Sequence, residues 1–531
     1  PKSVFTRAED LPGLESALAS FLAEHPSFES TSAVDETRES DYPHLRAANR
    51  ACFDYCGFGL FSFTQRFTAG RQRSSFSLVS AGSSGSLAAQ AAFATTEPNT
   101  LQSELRSRVL DYLNVGDGSY SAVFTASKRA AFALVADCYD FRARSKLVTV
   151  YDHESESVKA LTTAAVRSGG RTCAARFRWP TLRLCGEQLA AELKTRGKGS
   201  RLLKKKTGTA GGTAGGRRRG LFVFPTQSRI TGTKYSYQWM TMAEKHRWDV
   251  LLDVSAMGPR DMGSLGLSLF RPDFIICSFY KIFGSDPTGF GCLLIKDSSM
   301  ASLRSSSSSP GIGMVRVVPD LGDDEELAED LDENDDIDDD QRERQQQHRP
   351  EPLIVCQGLD HANTMGLNKT NCRIKSLMDW LIASMSSLFH HIPGSSSSSL
   401  SAPSTATKRW RRRPLVQIFG PKAQIDRGPA VAFNLYDQKG ALIQPTLVQK
   451  LADRSSISLG CGVLSNLFLE EVVFSDHSGG GAHSGSMKKL ADLPVLTATL
   501  GLVSNFEDVH RLWTFAAKFL EPEFLTGELL R

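Results

Sequence analysis

The stretch Pro272-Asp273-Phe274-Ile275-Ile276-Cys277-Ser278-Phe279-Tyr280-Lys281 decides the fold. Its apolar run is too short for a globular helix and reads as a strand buried on both faces. A lysine closes it, and the glycine-rich segment Ile282-Phe283-Gly284-Ser285-Asp286-Pro287-Thr288-Gly289-Phe290-Gly291 follows at once. Upstream, a second apolar run, Val250-Leu251-Leu252, ends in Asp253.

Working outward, short β-rich runs alternate with helical ones from about residue 41 to 315. Strands are predicted over Ala122–Thr125, Lys146–Val150, Gly220–Phe224, Asp249–Leu252, Phe274–Cys277 and Gly291–Ile295. Helices are predicted over Gln102–Leu113, Lys128–Cys138, Ser157–Arg167, Gly186–Leu193 and Tyr237–His246. Such alternation predicts a mainly parallel sheet covered on both faces. After residue 350 the pattern changes. A strand at Leu353–Val355, a helix at Thr370–Phe389, a strand at Val431–Leu435, and helices at Pro445–Ala452 and Phe506–Leu520 suggest a smaller α/β domain.

The expected division is therefore an N-terminal segment, 1–40, partly without order; a large domain, 41–318; and a small C-terminal domain, 351–531. Three low-complexity inserts interrupt it: a basic one at 196–219, an acidic one at 319–350 and a Ser/Arg-rich one at 394–413. Asp320–Asp340 carries 14 acidic residues in 21 positions. None of the three buries enough apolar surface to order itself.

At 531 residues the chain can bury a large core. A formal net charge of +4 gives no general pull toward nucleic acid. No run of 18 apolar residues supports a membrane-spanning helix. Of ten cysteines only Cys52 and Cys56 are close together, and no second pair completes a metal site. The opening residues show no charged-then-apolar leader pattern. An intracellular compartment is expected, the cytoplasm first and a plastid second.

A lysine past one buried strand and an aspartate past another match the needs of pyridoxal phosphate (PLP). The lysine forms a Schiff base, and the aspartate keeps the pyridinium nitrogen protonated so that the ring draws electrons. The pattern assigns these roles to Lys281 and Asp253. A phosphate cradle is expected at a strand-to-helix turn, and Thr125-Ala126-Ser127-Lys128-Arg129 fits, with Ser127 as cap and Lys128 and Arg129 supplying charge. Ser278, Tyr280 and Ser255 are further candidate donors. His153 is the candidate to lie against the ring and carry a proton. Arg229 or Ser228 is placed to reach the ring oxygen.

The ordered set resembles the class V aminotransferase fold, which includes cysteine desulfurases. Within it the chain most resembles the N-terminal domain of the molybdenum cofactor sulfurases, in particular the plant proteins without a C-terminal domain. The resemblance runs from about Tyr42 to Phe519. Cys52-Phe53-Asp54-Tyr55-Cys56-Gly57-Phe58-Gly59-Leu60-Phe61 resembles the family's opening segment, and Phe224-Pro225 to Gly232 its Phe-Pro…Ser-Gly segment. The most specific match is Ser278-Phe279-Tyr280-Lys281-Ile282-Phe283-Gly284 with Pro287-Thr288-Gly289, similar to the family's Ser-Phe-Tyr-Lys-Leu-Phe-Gly…Pro-Thr-Gly signature. Gly311–Val315 resembles a glycine turn that in the family approaches the cofactor across a dimer interface. Ser155 enters only through this resemblance, as the residue that an ungapped match puts in the place of His153.

The resemblance implies a type I PLP-dependent transferase fold. This comprises a mainly parallel seven-stranded sheet in a large domain and a smaller C-terminal α/β domain. It further implies PLP on Lys281, Asp253 at the ring nitrogen, phosphate contacts at Ser278 and Tyr280, homodimers, and a small, cysteine-like amino acid as substrate. In the sulfurases a Leu-Arg-Thr-Gly-Cys-Phe-Cys-Asn loop supplies a carboxylate-binding arginine and a persulfide cysteine. Here it reads Leu459-Gly460-Cys461-Gly462-Val463-Leu464-Ser465-Asn466. Gly460 stands for the arginine, and Val463 and Ser465 for the cysteines. Serine carries no persulfide, so Cys461 is the remaining candidate carrier and activity on cysteine is expected to be weak or absent. Two other readings stand beside desulfuration: a degenerate member acting as scaffold or regulator through its charged inserts, and another PLP reaction such as transamination.

Overall fold

The structure, a computed structural model, describes residues 4–54, 76–80, 87, 101–194, 219–256, 270–279, 290–303, 313–319, 367–391, 412–421, 427–471 and 486–529, apart from 48, 114, 116–118 and 502. The predicted strand at Leu353–Val355 and nearly all of the acidic, basic and Ser/Arg-rich inserts lie outside these residues.

Seven strands form the main sheet: β1 (Tyr120–Thr125), β2 (Lys146–Thr149), β3 (Arg171–Ala174), β4 (Gly220–Pro225), β5 (Asp249–Asp253), β6 (Phe274–Ser278) and β7 (Gly291–Lys296). Their order across the sheet is β1-β7-β6-β5-β4-β2-β3. Strand β7 runs antiparallel to both neighbours, and the other pairings are parallel. The expected mainly parallel, seven-stranded sheet is therefore present. Its least apolar strand, β3, has no signal in the sequence because it sits at the edge and Arg171, Thr172 and Ala174 are exposed.

Alternation within the strands separates two cores. Phe222, Phe224, Val250, Leu252, Ile275 and Cys277 face one side, beneath α3 (Gly186–Lys194) and α4 (Gln238–Lys245). Leu221, Val223, Leu251, Phe274 and Ile276 face the other, beneath α1 (Lys128–Cys138) and α2 (Glu156–Arg167). A central strand so covered has no polar face, which is why β4, β5 and β6 read as unbroken apolar runs. By parity Asp253 shares the face of Leu251 and therefore points toward α1.

A second sheet, β8 (Val416–Phe419), β9 (Ala430–Leu435), β10 (Gly460–Leu464) and β11 (Leu493–Thr499), is antiparallel with the order β8-β9-β11-β10. It packs with α5 (Leu367–Met385), α6 (Pro445–Arg454) and α7 (Phe506–Ala517) around a third core. Two local expectations shift here. The helix predicted to Phe389 stops at Met385, and Phe389–His391 forms a strand. The 459–466 segment, expected as a loop, is mostly strand β10.

The described part of the N-terminal segment packs on the third core. Phe21, fully buried on the helix Leu14–Glu24, meets Phe28, Trp380 and Phe506. The buried Arg373 of α5 binds Asp35 (3.0 Å), Thr31 Oγ1 (3.0 Å) and the Ser504 carbonyl (2.9 Å). Long-range anchors of this kind leave no trace in local composition.

Candidate functional site

In open α/β sheets ligands bind beyond the carboxyl ends of the parallel strands. Asp253, the last residue of β5, lies at that edge and is only 2% exposed. Its Oδ1 accepts the Ser255 backbone N–H (3.0 Å) and hydroxyl (2.6 Å). Its Oδ2 accepts the Tyr151 hydroxyl (2.9 Å) and the Lys128 ammonium (2.9 Å). Burial pushes the Asp253 carboxyl up, but the Lys128 charge and the Ser255 and Lys128 hydrogen bonds outweigh it and hold it below its ordinary value. Asp253 is thus a buried, ionised carboxylate that already takes a cationic N–H donor.

Beyond β2 the chain runs Tyr151-Asp152-His153. Asp152, 1% exposed, accepts His153 Nδ1 (2.8 Å) and Ser228 Oγ (2.8 Å) on Oδ1, and Thr231 Oγ1 (2.8 Å) on Oδ2. Burial pushes this carboxyl up too, but the hydrogen bonds from His153, Ser228 and Thr231 hold it below its usual range. An ionised Asp152 has no proton to give, so His153 Nδ1 carries the hydrogen and Nε2 is the nitrogen left for other chemistry. Strand β10 closes on this turn. His153 forms a β-bridge with Leu464, Ser465 N–H donates to the Asp152 carbonyl (2.8 Å), and Asn466 Nδ2 donates to the Tyr151 carbonyl (3.1 Å).

The Thr125–Arg129 segment is a strand-to-helix turn between β1 and α1. Ser127 caps α1, its hydroxyl accepting Ala130 N–H (3.2 Å). Gly291, at the same edge between Thr125 and Ser278, admits this turn: a Cβ there would sit 2.8 Å from both Ser127 C and Thr125 Oγ1. Gly291→Ala is expected to force the turn off β7 at a cost of about 1–3 kcal/mol. A chemical denaturation curve indistinguishable from wild type would contradict that packing. Gly313, of the predicted dimer-crossing turn, packs on this chain's own cradle, its carbonyl accepting Ala126 N–H (2.8 Å).

Two cradle expectations change. Lys128 Nζ lies on Asp253, not out over the turn, because the nearest buried carboxylate outcompetes solvent for it. Arg129 turns away to Glu156 at 3.1 Å, both side chains 73% exposed. Arg229 is exposed, whereas its neighbour Ser228 is buried and bound to Asp152. Ser155 stands at the start of α2, and His153 is the residue built into the site. Ser278 is half-buried at the end of β6. Tyr280 and Lys281 lie outside the described residues.

Cys461 is not gathered with these groups. It is exposed on β10, with its thiol donating to Gln449 Oε1 at 3.3 Å. Partial burial, then Asp54 and Asp453, push that thiol up, away from the thiolate form. At Gly460 any side chain would begin 2.4 Å from Thr497 Oγ1 and 3.0 Å from Asp54 Oδ1, so β10 is built without one. The residues missed from the sequence are Tyr151, Asp152 and Thr231. Tyr151-Asp152 just past a buried strand was the one available signal.

These residues fit PLP at the ring-nitrogen end, where Asp253 stands charged and one of its donors, Lys128, is a cation of the kind a protonated ring nitrogen would replace. Thr226 Oγ1 and Tyr235 Oη, near the same edge, are buried with no hydrogen-bond partner among the described residues, as groups awaiting a water or a ligand are. Among the described residues no His/Cys/Asp/Glu group could hold a metal ion, and no helix is long and apolar enough to cross a membrane.

No family model matches the chain. In sequence it is 24% identical over 450 residues to the molybdenum cofactor sulfurase of Bos taurus, covering 78% of this chain and 44% of that protein. It is 30% identical over 207 residues to molybdenum cofactor sulfurase 2 of Aedes aegypti, covering 38% of this chain and 24% of that protein. The chain thus spans less than half the length of these curated relatives. Among solved structures, the apo cysteine desulfurase of Thermococcus onnurineus NA1 matches with a TM-score of 0.53 at 12% identity, over 90% of this chain and 96% of that one. At that identity the likeness is one of fold.

Proposed function

We propose that this chain, which has the class V aminotransferase fold and is similar to the molybdenum cofactor sulfurases, is a PLP-dependent enzyme acting on a small amino acid. The observation that carries the reading is the buried, ionised Asp253 at the carboxyl end of β5. When bound, PLP supplies the electron sink. Asp253 would hold a proton at the ring nitrogen, and Ser255 and Tyr151 keep its carboxylate aimed. Asp152 fixes the tautomer of His153, which leaves His153 Nε2 to move a proton. Lys281 is the proposed attachment point, from its place in the sequence signature, and two copies are the proposed assembly.

The test is a spectrum. Protein incubated with PLP and desalted is expected to absorb in the visible, and Lys281→Ala to lose that band. A wild-type protein that stays colourless overturns the reading. It would select the alternative of a cofactor-free scaffold, which Lys128 on Asp253 favours.

Within the proposal, sulfur transfer is the weakest branch, because Val463 and Ser465 stand where the related loop has cysteines. Cysteine-dependent sulfide release is expected to be weak or absent. Cys461→Ser is expected to leave the visible band unchanged and stability within about 0.5 kcal/mol. Robust sulfide release that disappears in Cys461→Ser would reverse this assignment. If an amino acid instead yields its keto acid without sulfide, the same residues perform transamination.

A further inference from the structure

The Asp253 carboxylate is full. A carboxylate offers about four lone-pair positions, and four donors fill them here: Ser255 N–H and Oγ on Oδ1, Tyr151 Oη and Lys128 Nζ on Oδ2. They differ in freedom. Ser255 is two residues away and belongs to the same turn. Tyr151 is 5% exposed, and its phenol, pushed well above its ordinary value first by burial and then by Asp253, stays a donor. Lys128 is the movable one. Its side chain is 26% exposed and reaches Asp253 on a flexible four-carbon stem from the first turn of α1, passing 5.6 Å over the Phe132 ring.

A protonated ring nitrogen would therefore gain a place on the Asp253 carboxylate by displacing the Lys128 ammonium, the one mobile donor there. Keeping both would press two cations against one oxygen inside a low-dielectric site. We propose, on the PLP reading above, that Lys128 competes with the cofactor's ring nitrogen for Asp253 and so sets how tightly the chain takes up its cofactor. Lys128 then acts as a gatekeeper of loading and not as a part of the phosphate cradle.

The test compares PLP with its carbocyclic analogue, in which the ring nitrogen is replaced by C–H, by equilibrium dialysis against the full chain. The ratio of the two affinities is the readout, because any contact of Lys128 with the shared phosphate cancels in it. In wild type the ratio is expected to be near one, since the ring nitrogen only exchanges places with an ammonium. In Lys128→Met, and in Lys128→Gln should the methionine variant fold poorly, it is expected to rise by about tenfold, the worth of one hydrogen bond to a charged group. Lys128→Arg keeps a cation on Asp253 and is expected to hold the wild-type ratio. Ratios that stay at the wild-type value in both neutral variants while PLP still binds overturn the proposal and leave the cofactor reading standing. No PLP binding by any form overturns the cofactor reading, and this proposal with it.

Discussion

Asp152→Ala is expected to destabilise the protein by about 3–5 kcal/mol, as removal of one partner from a buried charged network does. The cost comes from what stays behind. Ser228 Oγ, Thr231 Oγ1 and His153 Nδ1 all lose the same acceptor, and all three residues are buried. The 228–232 turn would loosen with it, because Ser228 Oγ also accepts the Ile230 and Thr231 N–H groups (both 3.1 Å). Urea denaturation followed by circular dichroism measures the loss. A change under about 1 kcal/mol would mean that water reaches the cluster and that Asp152 does not organise it. Asp152→Asn separates shape from charge: its carbonyl oxygen can still accept from Ser228 Oγ while its amide NH2 donates to Thr231 Oγ1, so a smaller loss is expected.

Asp253→Ala is expected to cut turnover on the order of a hundredfold or more, the scale for losing a group aimed at developing charge, without removing the Lys281-dependent visible band. It also leaves the Tyr151 hydroxyl buried beside an apolar neighbour, worth about 1–3 kcal/mol of stability. Lys128 softens the structural cost, because its partly exposed amine can turn to solvent. A variant that keeps wild-type turnover would remove Asp253 from the chemistry. The sign of the acid dependence follows from the same groups. Both Asp152 and Asp253 are held below their ordinary value of 3.8 in the folded chain. Their contribution is complete above about pH 4 and lost as pH falls through their lowered values. The wild-type acid limb should therefore be steep below pH 4, and each alanine variant should flatten it.

Much of the architecture is written in short segments. The unbroken apolar runs of β4, β5 and β6 mark strands covered on both sides, and the helix Lys128–Cys138 begins and ends where its Ser127 cap and apolar spacing predict. Asp253 was legible for the same reason, as a charge at the end of such a run. Strand β3 and the strands β8, β10 and β11 were not. Edge position, mixed polarity and pairing with distant partners blur the two-residue period there.

The order of strands and helices, and the places where charged side chains end buried strands, were fixed by residues close together in the chain, because propensity and periodicity act over a few positions. Which of those charges meet was decided by the tertiary fold. Lys128 finds Asp253 across 125 positions, Ser228 and Thr231 find Asp152 across 76 and 79, and Ser465 closes over the same turn from the other end of the molecule. An ammonium and a carboxylate pair according to distance and burial, and those exist only once the sheet has brought its carboxyl edge together.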